Sequence, residues 1–473
     1  MTLFADTLPV DHDVRERVRT DLDRNLFVEA GAGTGKTRVL VDRVVRLVAT
    51  GTVSDISRLV AITFTEAAAA ELRDRIRGEL ERASLDHALP DDEQLRCAIA
   101  RSHIDRATIT TLHGFAQRIL AEHPLDVGLA PVFDVDDEVQ ARVRFVERWT
   151  RFRDELFEDD TAATDLLRLH ALGFYTDRLR DVARLLHQRW DALVGVEFPV
   201  PPSPAVDVMT ITEPIREAIK VAEPHWHRED DKLLDLVTVW GTLLAGLDEA
   251  TAAGDELEVI RLLTPRPWKP SNQGKAGDWG DDKKEILRSL TAADEARTEL
   301  IGELRTTVLQ RFMPRLQAFT LSGVEERRDD GRLEFHDLLV HARDLLRANQ
   351  EVRVALADRI DVILIDEFQD TDPLQLDIAF ALAADNPSLP PPPWPEAVLR
   401  AGKILVVGDP KQSIYRFRGA DISLWDRTKR LFPDGVEQLG QNFRTVPPLL
   451  EWVNAVFRSV IAEGEAGAQP AYH

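Results

Sequence analysis

The chain has 473 residues, enough for two or three domains, and 44% of them are apolar, so a sizeable core is available. A formal net charge of −23 excludes a general basic nucleic-acid coat, though not a narrow basic groove on an acidic body. The single cysteine, Cys97, excludes an intrachain disulfide and fits a reducing compartment; with no leader pattern and no apolar run near the ~20 residues of a bilayer span, a soluble, cytoplasmic protein with no membrane partner is expected.

Residues 1–124 alternate short apolar runs with helical patterns, as parallel βαβ units do. Leu26–Ala30 reads as a strand and Thr37–Thr50 as a helix. Between them runs Ala30-Gly31-Ala32-Gly33-Thr34-Gly35-Lys36-Thr37. A strand feeding a glycine-rich turn that opens a helix is the context of a phosphate-binding loop. Its glycines let backbone N–H groups face phosphates, and the helix N-terminus adds its dipole. Lys36 is then the residue to reach the β- and γ-phosphates, and Thr37 the one to ligate Mg²⁺. The strict pattern begins with Gly, where this chain has Ala30; the alternative is a glycine-rich helix start with no ligand. Leu59–Thr65 reads as a second strand, Ala67–Ser84 as a helix, Ala107–Thr111 as a third strand and Gly114–Glu122 as a helix ended by Pro124.

From 125 to 332 long amphipathic helices dominate. Val139, Val143, Val146, Trp149, Phe152 and Leu156 recur at helical spacing, as do Leu179, Val182, Leu185 and Leu186. Pro199–Pro204 is a turn. The polar stretch Trp268–Lys284 is a loop whose two tryptophans either touch nucleic acid or anchor the loop to its own domain.

The α/β pattern returns at 333. Val362–Ile365 is a buried strand that ends in Asp366 and Glu367. In a chain with a phosphate loop, such a pair suggests Asp366 on the metal through its water shell and Glu367 as base on the attacking water. Taken alone, a solvated strand end fits equally well. Asp372–Ala384 is a helix, Pro387–Pro395 a surface loop and Ile404–Val407 another strand. The loop that follows, from Gly408 to Asp421, combines Asp409, Gln412, Tyr415, Arg416, Phe417 and Arg418. The amide suits a nucleotide phosphate, the rings suit stacked bases and the guanidiniums suit a phosphate backbone. A segment touching both ligands would couple nucleotide turnover to movement along a strand. Ile422–Phe432 is a helix, Val436–Leu439 a strand that leads into Gln441-Asn442-Phe443-Arg444, and Pro447–Ile461 a helix before a Gly- and Ala-rich tail expected to be disordered.

Together these segments resemble the superfamily 1 DNA helicases of the UvrD/RecB group. Val28–Thr37 is similar to their motif I, Ala61–Leu72 to motif Ia and Thr110–Phe115 to the next DNA-contact motif. Ile363–Gln375 resembles motif II, the loop opening at Gly408 motif III and Gln441–Arg444 motif IV. Ala67, where many members carry Lys, and the segment Leu333–Leu339 bring the chain closer to the recombination-type AddA and RecB subunits. The family's adenine-reading Gln is replaced in the region of Asp11 and His12.

The resemblance implies an α/β fold: a RecA-like P-loop NTPase parallel sheet with a large inserted α-helical domain. It divides the chain into 1–124 and 333–436 as two parts of a first motor domain, 125–332 as the insertion and 437–473 as the start of a second motor domain. It implies ATP and Mg²⁺ as ligands, held by Ala30 to Thr37. Gln412 would sense the γ-phosphate, Arg444 would act as an arginine finger, and Phe443 and Arg38 would sandwich adenine. Phe64, Tyr415 and Phe417 would stack or wedge between bases of single-stranded DNA, with Arg418, His113 and Thr65 on its backbone. The expected activity is an ATP-dependent DNA helicase, moving 3′→5′ on single-stranded or duplex DNA in double-strand break repair. A second helicase–nuclease subunit is a possible partner. Motifs V and VI and a nuclease are absent from these residues, so the chain is expected to be the N-terminal portion of a larger protein or one part of a split gene. The alternative is a nucleotide-gated DNA-binding module with no motor activity of its own.

Overall fold

A computed structural model describes residues 8–227, 231–265, 269, 279–413 and 423–460. Tyr415, Phe417 and Arg418 lie outside the described residues, as does Trp268. The chain forms two compact units, one from 1–135 with 328–473 and one from 136–327.

In the first unit the strands are β1 (Leu26–Ala30), β2 (Leu59–Thr63), β3 (Thr108–Thr111), β4 (Asp134–Val135), β5 (Arg332–Leu333), β6 (Val362–Ile365), β7 (Ile404–Gly408) and β8 (Val436–Leu439). Among the described residues, six of them form one all-parallel sheet in the order β3-β2-β6-β7-β1-β8. Every residue of β2, β6 and β7 is buried. Strands covered on both faces read as continuous apolar runs, which is why Val362–Ile365 and Ile404–Val407 stand out in the sequence. Val436–Leu439, which the expected division at 436/437 crosses, is an edge strand of this sheet, paired in parallel with β1. The strand expected to run to Thr65 ends at Thr63, because Thr65 caps the next helix: its Oγ1 accepts the N–H of Ala68 at 3.1 Å. β4 and β5 pair where the chain leaves and re-enters this unit.

Phe27 of β1 is fully buried, with the rings of Phe368, Trp425 and Phe432 at 5.6, 4.8 and 5.7 Å. This aromatic cluster lies directly under the phosphate loop's own strand.

The second unit is helical. The 48-residue helix Asp282–Asp329 serves two cores: Ile286, Leu290, Ala293, Ile301 and Leu304 join one, and Val308, Phe312, Leu316 and Phe319 the other. In the helix Glu138–Glu158 the buried face is Phe145, Trp149 and Leu156, with Phe152 partly buried. Val139, Val143 and Val146 are exposed. Each three-residue step falls about 60° short of a full turn, so a chain of such steps walks from one helix face to the next. The valines therefore belong to a different stripe from the aromatics. Leu185 is likewise exposed, while Leu179 is buried. Trp279 is buried and donates its Nε1–H to Asp231 at 3.0 Å, the anchoring role. Among the described residues, no helix is long and apolar enough to cross a membrane.

Replacing Phe27 with Ala empties the centre of the aromatic cluster. The expected loss is about 3–5 kcal/mol in urea unfolding of the chain; a loss under about 1 kcal/mol would show that the cluster collapses to fill the space.

Candidate functional site

The site grows from the carboxyl edge of the sheet. After β1 the chain turns through Gly31–Gly35 into helix α2 (Lys36–Ala49). Gly33 and Gly35 have φ of +75° and +82°, a region that costs any residue with a Cβ. Crowding adds to this at Gly33, where a Cβ would lie 2.8 Å from Cβ of Arg444. The turn is closed by Thr34, buried, whose Oγ1 donates to the carbonyl of Gly31 at 2.8 Å. Ala30 is buried as the last residue of β1; Ala32 offers its carbonyl to Nδ2 of Asn442 at 2.8 Å. Thr37 lies half-buried in the first turn of α2.

Lys36 opens the helix and its Nζ binds Oε2 of Glu367 at 2.7 Å. Glu367 follows β6 by two residues and is, among the described residues, the non-glycine with positive φ, at 53°. Gln369, buried, orders the neighbourhood. Its Nε2 donates to Glu367 at 2.8 Å and to Asp370 at 3.2 Å, while its Oε1 accepts the N–H of Asp409 at 2.9 Å. Asp409 then accepts Nε2 of Gln412 at 2.7 Å. A continuous relay thus runs from Lys36 through Glu367, Gln369 and Asp409 to Gln412, joining the ends of β6 and β7 to the phosphate loop. Burial, and then the nearby charge of Glu367, push the carboxyl of Asp366 up to about 6, and the same causes raise Asp370 to about 6.

Behind β8 the segment Gly440–Thr445 lies on the phosphate loop. Phe443 N–H donates to the carbonyl of Gly33 at 2.8 Å, and Oδ1 of Asn442 accepts the N–H groups of Arg444 and Thr445 at 2.8 Å each. Phe443 is 60% exposed and faces a cavity of about 500 Å³ that Arg15, Gly35 and Arg38 also line. Arg38, expected to sandwich adenine with Phe443, directs its guanidinium to Asp42 and Glu79. The cation over the Phe443 ring is Arg15, 4.9 Å from its centroid. Arg15, Asp11, Gln369 and Asn442 are site residues that sequence reasoning missed. The i,i+4 spacing of Asp11 and Arg15 was the available signal for their pairing.

At the far end of the same edge lie the residues expected on nucleic acid. Phe64 is half-buried after β2, Thr65 is exposed, and His113 is half-buried after β3 with its ring edge-on to Phe335 at 5.6 Å. Burial, with His336 nearby, lowers the pKa of His113, so the ring is neutral at pH 7. Glu66 ties the two strand ends together by accepting Oγ1–H of Thr111 at 2.6 Å.

Residues 11–433 match the family described as UvrD/REP helicase N-terminal domain. The chain is 25% identical over 487 residues to the A-type subunit of the ATP-dependent helicase/nuclease of Pediococcus pentosaceus, covering 92% of this chain and 38% of that protein. A protein of the same name from Latilactobacillus sakei is 28% identical over 517 residues, covering 96% of this chain and 54% of that protein. The chain thus spans about two fifths to a half of the length of these relatives.

The raised carboxyl of Asp366 sets a pH dependence. Its ordinary value is 3.8 and its folded value about 6, so between these the folded chain keeps a proton that the unfolded chain has released. Stability therefore falls as pH rises through that window. Asp366→Asn, which keeps the acceptor for the N–H of Glu367, should raise the thermal midpoint of the ligand-free chain by about 2–4 °C at pH 7.5. At pH 5, inside that window, the gain should shrink to about half, and it should vanish only below the ordinary value of 3.8, where both states carry the proton; an equal gain at pH 5 and pH 7.5 would overturn the assignment.

Proposed function

The chain belongs to the UvrD/REP helicase family, and from that premise we propose that it is the N-terminal motor portion of an ATP-dependent DNA helicase of recombination repair, moving 3′→5′. The observation that supports this most is the relay from Lys36 to Gln412, with Phe443 and Arg444 seated on the same loop. Residues 1–124 and 333–436 are read as the two parts of a first motor domain, 125–332 as its helical insertion, and the segment beyond β8 as the opening of a second. The relatives' name, that of one subunit of a helicase/nuclease, supports partnership with a second helicase–nuclease subunit, in the cytoplasm.

In this reading the triphosphate of ATP takes the backbone N–H groups of the Gly31–Thr37 turn, and Lys36 exchanges Glu367 for phosphate oxygens. Glu367, released, accepts the proton of the attacking water. Gln412 registers the γ-phosphate and Arg444 steadies the charge that develops on it. Phe443 offers its face to the adenine, with Arg38 and Arg15 at the rim of the same cavity. Phe64 stacks on bases of single-stranded DNA, with Thr65 and His113 on the backbone; Tyr415, Phe417 and Arg418 are assigned there by resemblance alone.

Mg²⁺ fits the residues present. Among the described residues no cluster of three or more His, Cys, Asp or Glu side chains is arranged as a metal cage. Mg²⁺ commonly needs none, since one or two protein oxygens and the substrate's phosphates complete its shell. Asp366, whose carboxyl is raised by burial and by Glu367, is the kind of group a cation would relieve. Thr37 and Asp366 would hold the ion, which when bound neutralises charge on the phosphates.

Lys36→Ala should lower ATPase activity by at least about 100-fold through lost nucleotide binding. Glu367→Gln should lower it by about 10²–10⁴-fold while the ATP dissociation constant stays within about threefold; normal turnover in that variant would remove the base assignment. A second reading is a nucleotide-gated DNA-binding module without motor activity of its own. ATPase measured on the chain with and without single-stranded DNA separates the two. Strong stimulation excludes the module, whereas ATP-dependent DNA binding without turnover supports it.

A further inference from the structure

We propose that Asp11 is a positioning residue for Arg444, fastening the segment after β8 onto the phosphate loop so that the arginine is aimed from the start of helix α1 (His12–Thr20). The proposal rests on the reading of this site as a nucleoside-triphosphate site and goes beyond it by assigning what holds the arginine there.

The Asp11 side chain is 7% exposed and serves three separate parts of the chain. Its Oδ2 accepts the adjacent backbone N–H groups of Gly440 and Gln441, both at 3.0 Å. Arg15 binds it in a forked pair, Nε to Oδ1 at 2.7 Å and Nη2 to Oδ2 at 2.8 Å. The same Nη2 donates to the carbonyl of Thr34 at 2.8 Å, inside the phosphate loop. From Gly440 onward the segment is pinned again, Asn442 to the Ala32 carbonyl and Phe443 to the Gly33 carbonyl, and Asn442 then holds the backbone N–H of Arg444. One carboxylate therefore joins the start of α1, the phosphate loop and the arginine-bearing segment.

The other ion pair from α1 to this region is weak. Arg17 forks onto Glu437 of β8 at 2.8 Å, but its side chain is 53% exposed, and such pairs contribute little. A buried carboxylate accepting backbone N–H groups is different. Although burial pushes its pKa up, Arg15 and the N–H groups of Gln441 and Gly440 hold it below the ordinary value. Removing it leaves two amide donors and a guanidinium without their acceptor, so the segment has to move to find water. Asp11 is not among the residues that line the cavity beside Phe443, so its effect on a nucleotide runs through the segment it holds.

The test is the ratio of ATP to ADP affinity, measured on the chain with fluorescent mant-nucleotides and Mg²⁺. Arg444→Ala should weaken ATP about tenfold and leave ADP unchanged. Asp11→Ala should reproduce that pattern, and the double variant should be no weaker than Arg444→Ala alone, since one residue acts through the other. Asp11→Asn keeps an oxygen for the two N–H groups but loses the Arg15 pair, so it should lose about threefold, again with no further loss in the Arg444→Ala background. Because it preserves shape, it carries the test if Asp11→Ala does not fold. Additive losses, or equal weakening of ATP and ADP, would overturn the proposal. An unaltered ATP-to-ADP ratio in Arg444→Ala would instead bring down the γ-phosphate reading of Arg444, and absence of any nucleotide binding would bring down the site itself.

Discussion

A parallel sheet delivers the carboxyl ends of all its strands to one edge, and most candidate groups of the first unit are placed by that constraint. Loops at this edge leave strands that are buried on both faces, so their starting points are rigid while their side chains stay accessible. Strand order then sorts the chemistry. β6, β7, β1 and β8 carry the acids, the amide, the phosphate loop and the arginine, while among the described residues β2 and β3 carry the groups expected on nucleic acid. The boundary between the two sets is a hydrogen bond, since the N–H of Asp366 donates to the carbonyl of Ile62 at 2.9 Å. Ile62 is two residues before Phe64. A shift at the acids thus has a direct neighbour at the end expected on nucleic acid, without any long pathway between them.

The ligand-free arrangement stores its charges in pairs. Lys36 and Glu367 neutralise each other where phosphate and water would later separate them. Glu367 sits in the left-handed region at φ 53°, a conformation that costs a non-glycine residue of order 1 kcal/mol or more. Such strain persists where the surroundings over-determine it, and here Lys36 and Gln369 both grip the carboxylate. Asp370, brought close by the same glutamine, adds a second raised carboxyl to the cluster.

Much of this was legible in the chain. The glycine-rich turn between an apolar run and a helix, the two acids ending Val362–Ile365 and the strand before Gly408 all show in local pattern, because burial on both faces erases alternation. What was not legible depends on distant contacts. Arg15 reads as an ordinary member of a charged helix face, and only the folded chain puts it on Phe443. Gln369 lies inside a recognisable stretch, yet its role as the bridge between β6 and β7 follows from the register of two strands some forty positions apart. Val436–Leu439 is short, and its exposed edge-strand pattern gave no sign of the sheet that would take it. In the helical unit, Val139, Val143 and Val146 were placed with Trp149 because spacing alone does not reveal when a stripe has drifted to the next face.

The position of β1 also sets a clock for biosynthesis. Both its sheet neighbours come from the far end of the sequence, and Asn25, just before it, accepts the N–H of Ile404, 379 residues later. At ribosomal speeds of about 5–20 residues per second, this apolar strand and its loop wait roughly 20–80 s for their partners to be made. The helical unit, continuous in sequence over 136–327, can collapse during that interval. A nascent chain would therefore expose Leu26–Val28 until residues beyond 400 are made, and this strand depends on chaperone cover in that interval.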